Sequence, residues 1–119
     1  MAKVLIVDDA SFMRKRMAKI LGELGHEVLG EAENGEQAVD LFEQLQPELV
    51  MMDITMPVLS GKDALIKIKQ KSDSANVVMC SALGSETMIA DCIKFGARGY
   101  IVKPYTKEKV EETIIKVIS

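Results

Sequence analysis

Five polar positions stand where short apolar runs stop, and their residue types belong together. Asp8 and Asp9 follow the run Lys3–Val7, Asp53 ends the strand of Leu49–Met52, Ser81 ends that of Val77–Cys80, and Lys103 with Pro104 follows Tyr100–Val102. A lone Asp after a strand is commonplace as a turn former, and Asp8-Asp9 taken alone carries no more than that. Three carboxylates in one crevice are a different matter. Two like charges about 4 Å apart repel by roughly 4 kcal/mol at an effective dielectric of about 20, so the cluster needs a counter-cation to stay ionised. Mg²⁺ meets that need, because it is hard, takes oxygen ligands and is typically held by one or two carboxylates with phosphate oxygens completing its shell. Lys103 would add a fixed positive charge, Asp53 a carboxylate nucleophile and Ser81 a hydroxyl, which are the parts a phosphoryl-transfer site requires. Singly, Lys103 is an ordinary loop lysine; the combination sets it apart.

Such a site exists only if the fold brings four distant segments to one edge. The runs Lys3–Val7, Leu49–Met52 and Val77–Cys80 are continuously apolar after their first residues, as buried parallel strands are; Glu27–Ala32 and Tyr100–Val102 are weaker members of the same set. Between them apolar residues recur at three- and four-residue steps: Met13, Met17, Ile20, Leu21 and Leu24; Ala38, Leu41, Phe42 and Leu45; Ala64, Leu65 and Ile68; Met88, Ile89, Cys92 and Ile93; Val110, Ile114 and Val117. Each stripe predicts a helix with one face for a sheet. Asn34 with Gln37 forms a capping-box pattern, Ser60 and Thr106 suit helix starts, and Gly25 and Gly96 suit helix ends. Strict alternation of strand and helix predicts an α/β fold, a doubly wound five-stranded parallel sheet with helices on both faces. Ligands of such sheets bind at the carboxyl ends of the strands, where the five polar positions fall.

Composition narrows the function further. At 119 residues the chain fits one domain, 1–119, and its 48% apolar and 28% charged residues suit a globular fold. No apolar run approaches the roughly 20 residues needed to cross a bilayer and no signal-peptide pattern precedes Lys3, which points to the cytoplasm and away from membranes. A net charge of −3 with scattered Lys and Arg argues against nucleic acid. Arg14-Lys15-Arg16 is the one basic cluster, and three charges on a helix predict a solvated face. Cys80 and Cys92 lack metal-ligand spacing and are expected as buried thiols, His26 as a solvated residue after Gly25, and the eight methionines as core filler. No GxxxxGK loop follows a strand, so ATP is not the expected direct substrate.

Together these motifs resemble the receiver domains of response regulators, those of chemotaxis in particular, over essentially the whole chain. Val7-Asp8-Asp9, Met52-Asp53-Ile54-Thr55-Met56-Pro57 with Gly61, Cys80-Ser81-Ala82, and Tyr100 with Val102-Lys103-Pro104 stand in that family's order and spacing. The resemblance implies a flavodoxin-like sheet of order 2-1-3-4-5. It implies that Asp53 takes a phosphoryl group from a histidine kinase, that Asp9, Asp53 and the Thr55 carbonyl hold Mg²⁺ with Asp8 assisting, and that Lys103 contacts the phosphoryl oxygens. Ser81 and Tyr100 would be the switch residues, and Lys103-Pro104 a cis bond. Thr55 and Leu83 occupy positions that in the family tune the lifetime of the aspartyl phosphate.

The output implied is a monomeric, diffusible switch that offers Glu86, Ile89, Tyr100 and Lys107 to a flagellar switch protein or another output protein, with a phosphatase as a further partner. Such a switch catalyses only its own phosphorylation and dephosphorylation. A phosphorelay intermediate would use the same acceptor and pass the group to a partner's histidine. A small aspartyl phosphatase fits less well, because Asp53-Ile54-Thr55 lacks a second acid two residues after the nucleophile. A flavin binder fits least, since the strand-end loops are acidic where a flavin phosphate would sit.

Overall fold

The computed structural model describes residues 1–82 and 84–118. Leu83, and with it the expectation attached to that position, lies outside the described residues. Five strands alternate with five helices: β1 (Lys3–Val7), α1 (Ser11–Glu23), β2 (Glu27–Ala32), α2 (Gly35–Leu45), β3 (Leu49–Asp53), α3 (Gly61–Lys71), β4 (Val77–Ser81), α4 (Glu86–Lys94), β5 (Gly99–Val102) and α5 (Lys107–Ile118). The strands are parallel and ordered β2-β1-β3-β4-β5, the predicted doubly wound sheet.

Alternate side chains of each strand face opposite ways, which sorts the core into two layers. Leu5, Val7, Val50, Met52, Val77 and Met79 pack under Ala38, Val39 and Phe42 of α2, Ala64, Leu65 and Ile68 of α3, and Cys92 of α4. Val4, Ile6, Leu49, Met51, Val78, Cys80 and Ile101 meet Met17, Ile20 and Leu21 of α1 and Val110 and Ile114 of α5. Each large aliphatic side chain so buried contributes roughly 1.5 to 3 kcal/mol, which is why stripes of three or four suffice to seat a helix.

Helix ends follow the local chemistry. Asn34 Oδ1 accepts from Gln37 N at 2.9 Å while Glu33 N donates to Gln37 Oε1 at 3.0 Å, a reciprocal cap displaced by one residue from the usual box. Ser60 Oγ accepts from Asp63 N at 3.2 Å and Thr106 Oγ1 from Lys109 N at 3.1 Å, as expected. Ser85, which the sequence analysis did not single out, caps α4 through Met88 N at 3.2 Å. Helix α1 differs: it starts after Ala10, with no side-chain cap. His26 is half-buried instead of solvated, because its Nδ1 accepts the backbone N–H of Ala2 at 2.9 Å.

No helix among the described residues is long and apolar enough to cross a membrane. Asp53 and Ser81 are the last residues of their strands, as expected, because the ladder runs on: Asp53 pairs with Cys80 and Ser81 with Val102. Both functional positions are thus held by sheet hydrogen bonding.

Candidate functional site

At the carboxyl edge of β1 and β3, one carboxylate oxygen from each of Asp8, Asp9 and Asp53 lies within 4.8 Å of the others. Asp8 and Asp53 are buried and Asp9 is exposed. Two buried carboxylates at that separation repel by about 3 kcal/mol at an effective dielectric of about 20. Lys103, arriving from the end of β5, answers part of this: its Nζ is 2.7 Å from Asp8 Oδ2 and 3.5 Å from Asp53 Oδ2. One ammonium facing three carboxylates leaves two negative charges unbalanced. An all-oxygen donor set with that residual charge fits a hard divalent cation such as Mg²⁺.

Each group is held by its own neighbours. Asp8 Oδ1 accepts from Ala10 N at 2.9 Å, and Asp8 N donates to Ala32 O at 3.1 Å. Asp53 Oδ1 accepts from Ile54 N at 2.8 Å, which leaves Oδ2 as the oxygen turned to Lys103. Lys103 N donates to Ser81 O at 2.8 Å, so the lysine and the buried serine are tied through the backbone. Burial raises the Tyr100 phenol above its ordinary value, and the neighbouring Ser81 hydroxyl works against that rise. The Lys103-Pro104 peptide is cis.

Electrostatics follows from burial. Desolvation raises the Asp53 carboxyl above its ordinary value, the Lys103 ammonium works against that rise, and the Asp8 charge adds to it. For Lys103, burial disfavours the charge, but the Asp8 hydrogen bond and the charges of Asp53 and Asp8 outweigh it and hold the ammonium above its ordinary value. Cys80, beside Ser81, is pushed up to about 12 by burial, so no thiolate competes with Asp53 as a nucleophile.

The close approach of α3 to Asp53 depends on Gly61. Its N–H donates to Ile54 O at 2.7 Å, and a Cβ there would stand 1.9 Å from the carbonyl oxygen of Asp53. The intervening loop, residues 54–60, contains exposed Thr55 and holds Val58 at φ +67°, a conformation costly for a β-branched residue.

The structure thus brings together Asp8, Asp9, Asp53 and Lys103, with Ser81 and Tyr100 on the adjacent strands β4 and β5. Of the proposed partner face, Glu86 and Lys107 are exposed while Ile89 and Tyr100 are half-buried. One expectation is corrected in part: Lys15 and Arg16 are exposed, but Arg14 is half-buried, and both arginines are engaged by the backbone. Arg14 Nη1 donates to Asp8 O at 2.7 Å and its Nε to Glu31 Oε1 at 3.1 Å, while Arg16 Nη2 donates to Tyr105 O at 2.7 Å. Both side chains are long enough to reach back over strand-end loops, which a count of charges does not reveal. The only sequence signal was their place just after the Asp8-Asp9 pair.

Comparison with known proteins agrees with this geometry. Residues 4–115 match the family model described as the response regulator receiver domain. The chain is 48% identical over 117 residues to the chemotaxis protein CheY of Bacillus subtilis, covering 98% of each, and 45% identical over 115 residues to CheY of Thermotoga maritima, covering 97% and 96%. Among solved structures it superimposes with a TM-score of 0.96 on a chain of the CheX-CheY-BeF3-Mg²⁺ complex from Borrelia burgdorferi, at 36% identity and over 98% of this chain and 89% of that one. Receiver domains of this kind are signalling switches, not classical enzymes, and bind Mg²⁺ at an acidic pocket of the type that Asp8, Asp9 and Asp53 form. With its sheet order, its acidic strand-end cluster and these matches in agreement, the chain belongs to the CheY-like response regulator receiver domains of two-component signalling.

Proposed function

We propose that residues 1–119 act as one receiver domain in which Asp53 accepts a phosphoryl group from the phosphohistidine of a partner kinase, and that the phosphorylated form gains affinity for an output protein of the chemotaxis apparatus. The observation that carries this reading is the meeting of a buried carboxylate, Asp53, with two further acids and a lysine on one sheet edge.

In the transfer, an Asp53 carboxylate oxygen attacks phosphorus, the new O–P bond forms as the histidine N–P bond breaks, and the imidazole leaves with the electron pair. Mg²⁺, held by Asp8, Asp9, Asp53 and the Thr55 carbonyl, would neutralise charge on the phosphoryl oxygens. Lys103 supplies the fixed charge beside them: already 3.5 Å from Asp53 Oδ2, it can exchange its contact with that carboxylate for one with the transferred group. Hydrolysis of the acyl phosphate by water returns Asp53 and inorganic phosphate.

The readout runs through Ser81 and Tyr100. A phosphoryl oxygen that recruits the Ser81 hydroxyl draws it away from the neighbourhood of Tyr100, so the two states differ in the contacts of an aromatic ring on β5. A ligand shifts an equilibrium only through such a difference. Glu86, Ile89, Tyr100 and Lys107 would form the surface that an output protein reads. The Borrelia relative captured with CheX supports a second class of partner, one that engages the activated form.

Acetyl phosphate with Mg²⁺, followed by mass spectrometry, tests the acceptor: the native chain should gain one phosphoryl group and Asp53→Asn none, while Lys103→Met should still be labelled but fail to bind its partner more tightly. Equal labelling of Asp53→Asn would overturn the assignment. Titration of a labelled flagellar-switch peptide with and without beryllofluoride then tests the output. Unchanged peptide affinity in a protein that accepts the group would leave the receiver chemistry standing and redirect the output to a phosphorelay.

A further inference from the structure

Helices α2, α3, α4 and α5 each begin with a side-chain oxygen accepting a first-turn N–H, from Asn34, Ser60, Ser85 and Thr106; α1 begins at Ala10 with none. The turn that carries Asp8 and Asp9 therefore lacks the usual device for fixing a chain as it enters a helix. Arg14 stands in for it. From the first turns of α1 its guanidinium reaches back to the carbonyl oxygen of Asp8 at 2.7 Å and sideways to Glu31 on β2 at 3.1 Å, with only 16% of its side chain exposed. Both bonds are charge-assisted, and such bonds are roughly twice as strong as neutral ones.

The atom that Arg14 holds matters. A peptide unit is planar, so the Asp8 carbonyl oxygen shares one plane with the Asp9 nitrogen and Cα, and holding that oxygen holds the Asp9 Cα and leaves chiefly the rotation about N–Cα to aim its side chain. Asp8 is already restrained by Ala10 N, Lys103 and the Ala32 carbonyl. Asp9 is the exposed member of the acidic cluster; the peptide after it is held through Ala10 N on Asp8 Oδ1, and the peptide before it by Arg14.

We propose that Arg14, oriented by Glu31, is a positioning residue for divalent-cation binding: it pins the Asp8–Asp9 peptide plane so that the Asp9 carboxylate meets those of Asp8 and Asp53. This inference rests on reading the three acids as a Mg²⁺ site. It makes a prediction opposite in sign to simple electrostatics. Removing a positive charge from beside an acidic site tightens cation binding by Coulomb's law alone, whereas losing the restraint on Asp9 weakens it.

The experiment is a Mg²⁺ titration by calorimetry at constant ionic strength on the native chain, Arg14→Met and Arg14→Lys, with thermal unfolding of each metal-free protein alongside. Arg14→Met should bind Mg²⁺ roughly ten-fold more weakly, the lower end of the range for outer-shell partners of metal ligands. Arg14→Lys keeps the charge and one donor but not the two-pronged geometry, and should fall between the two. Were Arg14→Met too unstable to titrate, weaker binding by a folded Arg14→Lys would carry the same conclusion, since charge is unchanged there. Equal or tighter binding by either folded variant overturns the proposal. A native chain that takes up no Mg²⁺ would remove the cation site itself, and the positioning role with it.

Discussion

The two loops that flank the acids of the site are built on opposite plans. The turn after β1 is short, and side chains hold it: Lys103 on the Asp8 carboxylate, Arg14 on its carbonyl. The loop after β3 is longer, and its own backbone holds it: Leu59 N to Pro57 O at 2.7 Å, Gly61 N to Ile54 O at 2.7 Å, and Gly35 N of α2 to Leu59 O at 3.0 Å. The difference teaches where each can be damaged. A turn held by side chains loses its restraints one substitution at a time, and its failures are graded. A loop held by backbone contacts tolerates side-chain change on its outer surface but not a changed backbone path.

Three perturbations would break or sharpen this contrast, the first expected to be largest. Gly61→Ala places a methyl group 1.9 Å from the Asp53 carbonyl oxygen and 2.8 Å from the Ile54 Cα. Neither backbone atom can move without displacing the acceptor. Urea unfolding should show a loss of more than about 3 kcal/mol, at the top of the range for overpacking. A loss below about 1 kcal/mol would mean that the loop yields easily and the contrast fails. Val58→Asn acts on the same loop in the opposite direction. Val58 is 74% exposed and held at φ +67°, so it gives up little burial, and Asn tolerates that conformation better. A gain of about 1 kcal/mol in the same assay is expected; a loss would show that Val58 makes a contact worth more than the strain.

The smallest effect belongs at the far end of the sheet, where it serves as a control. Burial lowers the pKa of His26 below its ordinary 6.5; the nearby N-terminal charge adds to this and Glu111 opposes it. The folded state therefore binds this proton less readily than the unfolded chain. The contribution of neutral His26 is complete above pH 6.5 and is lost as the pH falls below it. The native chain should lose more thermal stability between about pH 7.5 and about pH 5.5 than His26→Asn, whose Oδ1 can accept the Ala2 N–H at any pH. Parallel melting curves for the two proteins would remove His26 from the account. Mg²⁺ affinity at neutral pH should be the same for both.

Legibility in the sequence followed the same division. Strands β1, β3 and β4 were readable because they are buried on both faces and so run apolar without a break, and the helical stripes because each seats on one layer of the sheet. Asp8, Asp9, Asp53, Ser81 and Lys103 were readable because their types are rare in combination at strand ends. Arg14 was not, since its role depends on the reach of a flexible side chain to a carbonyl, and a carbonyl has no letter in the sequence. Val58 was not, since its residue type argues against the conformation it adopts. The missing cap of α1 is an absence that only the other four helices make visible.

The placement of Asp53 has one further consequence. Strand β3 is the third of five, with a full ladder on each side, whereas β5 lies at the sheet edge. A central strand is among the last parts of a domain to open, while an edge strand frays at lower cost. The residue proposed to receive the signal is thus fastened to the central strand, and Tyr100, proposed to report it, to an edge strand. In the proposed switch, chemistry at the centre leaves the registry of the sheet undisturbed while the margin repacks, so the signal would travel outward along a gradient of local opening instead of through a deformation of the whole molecule.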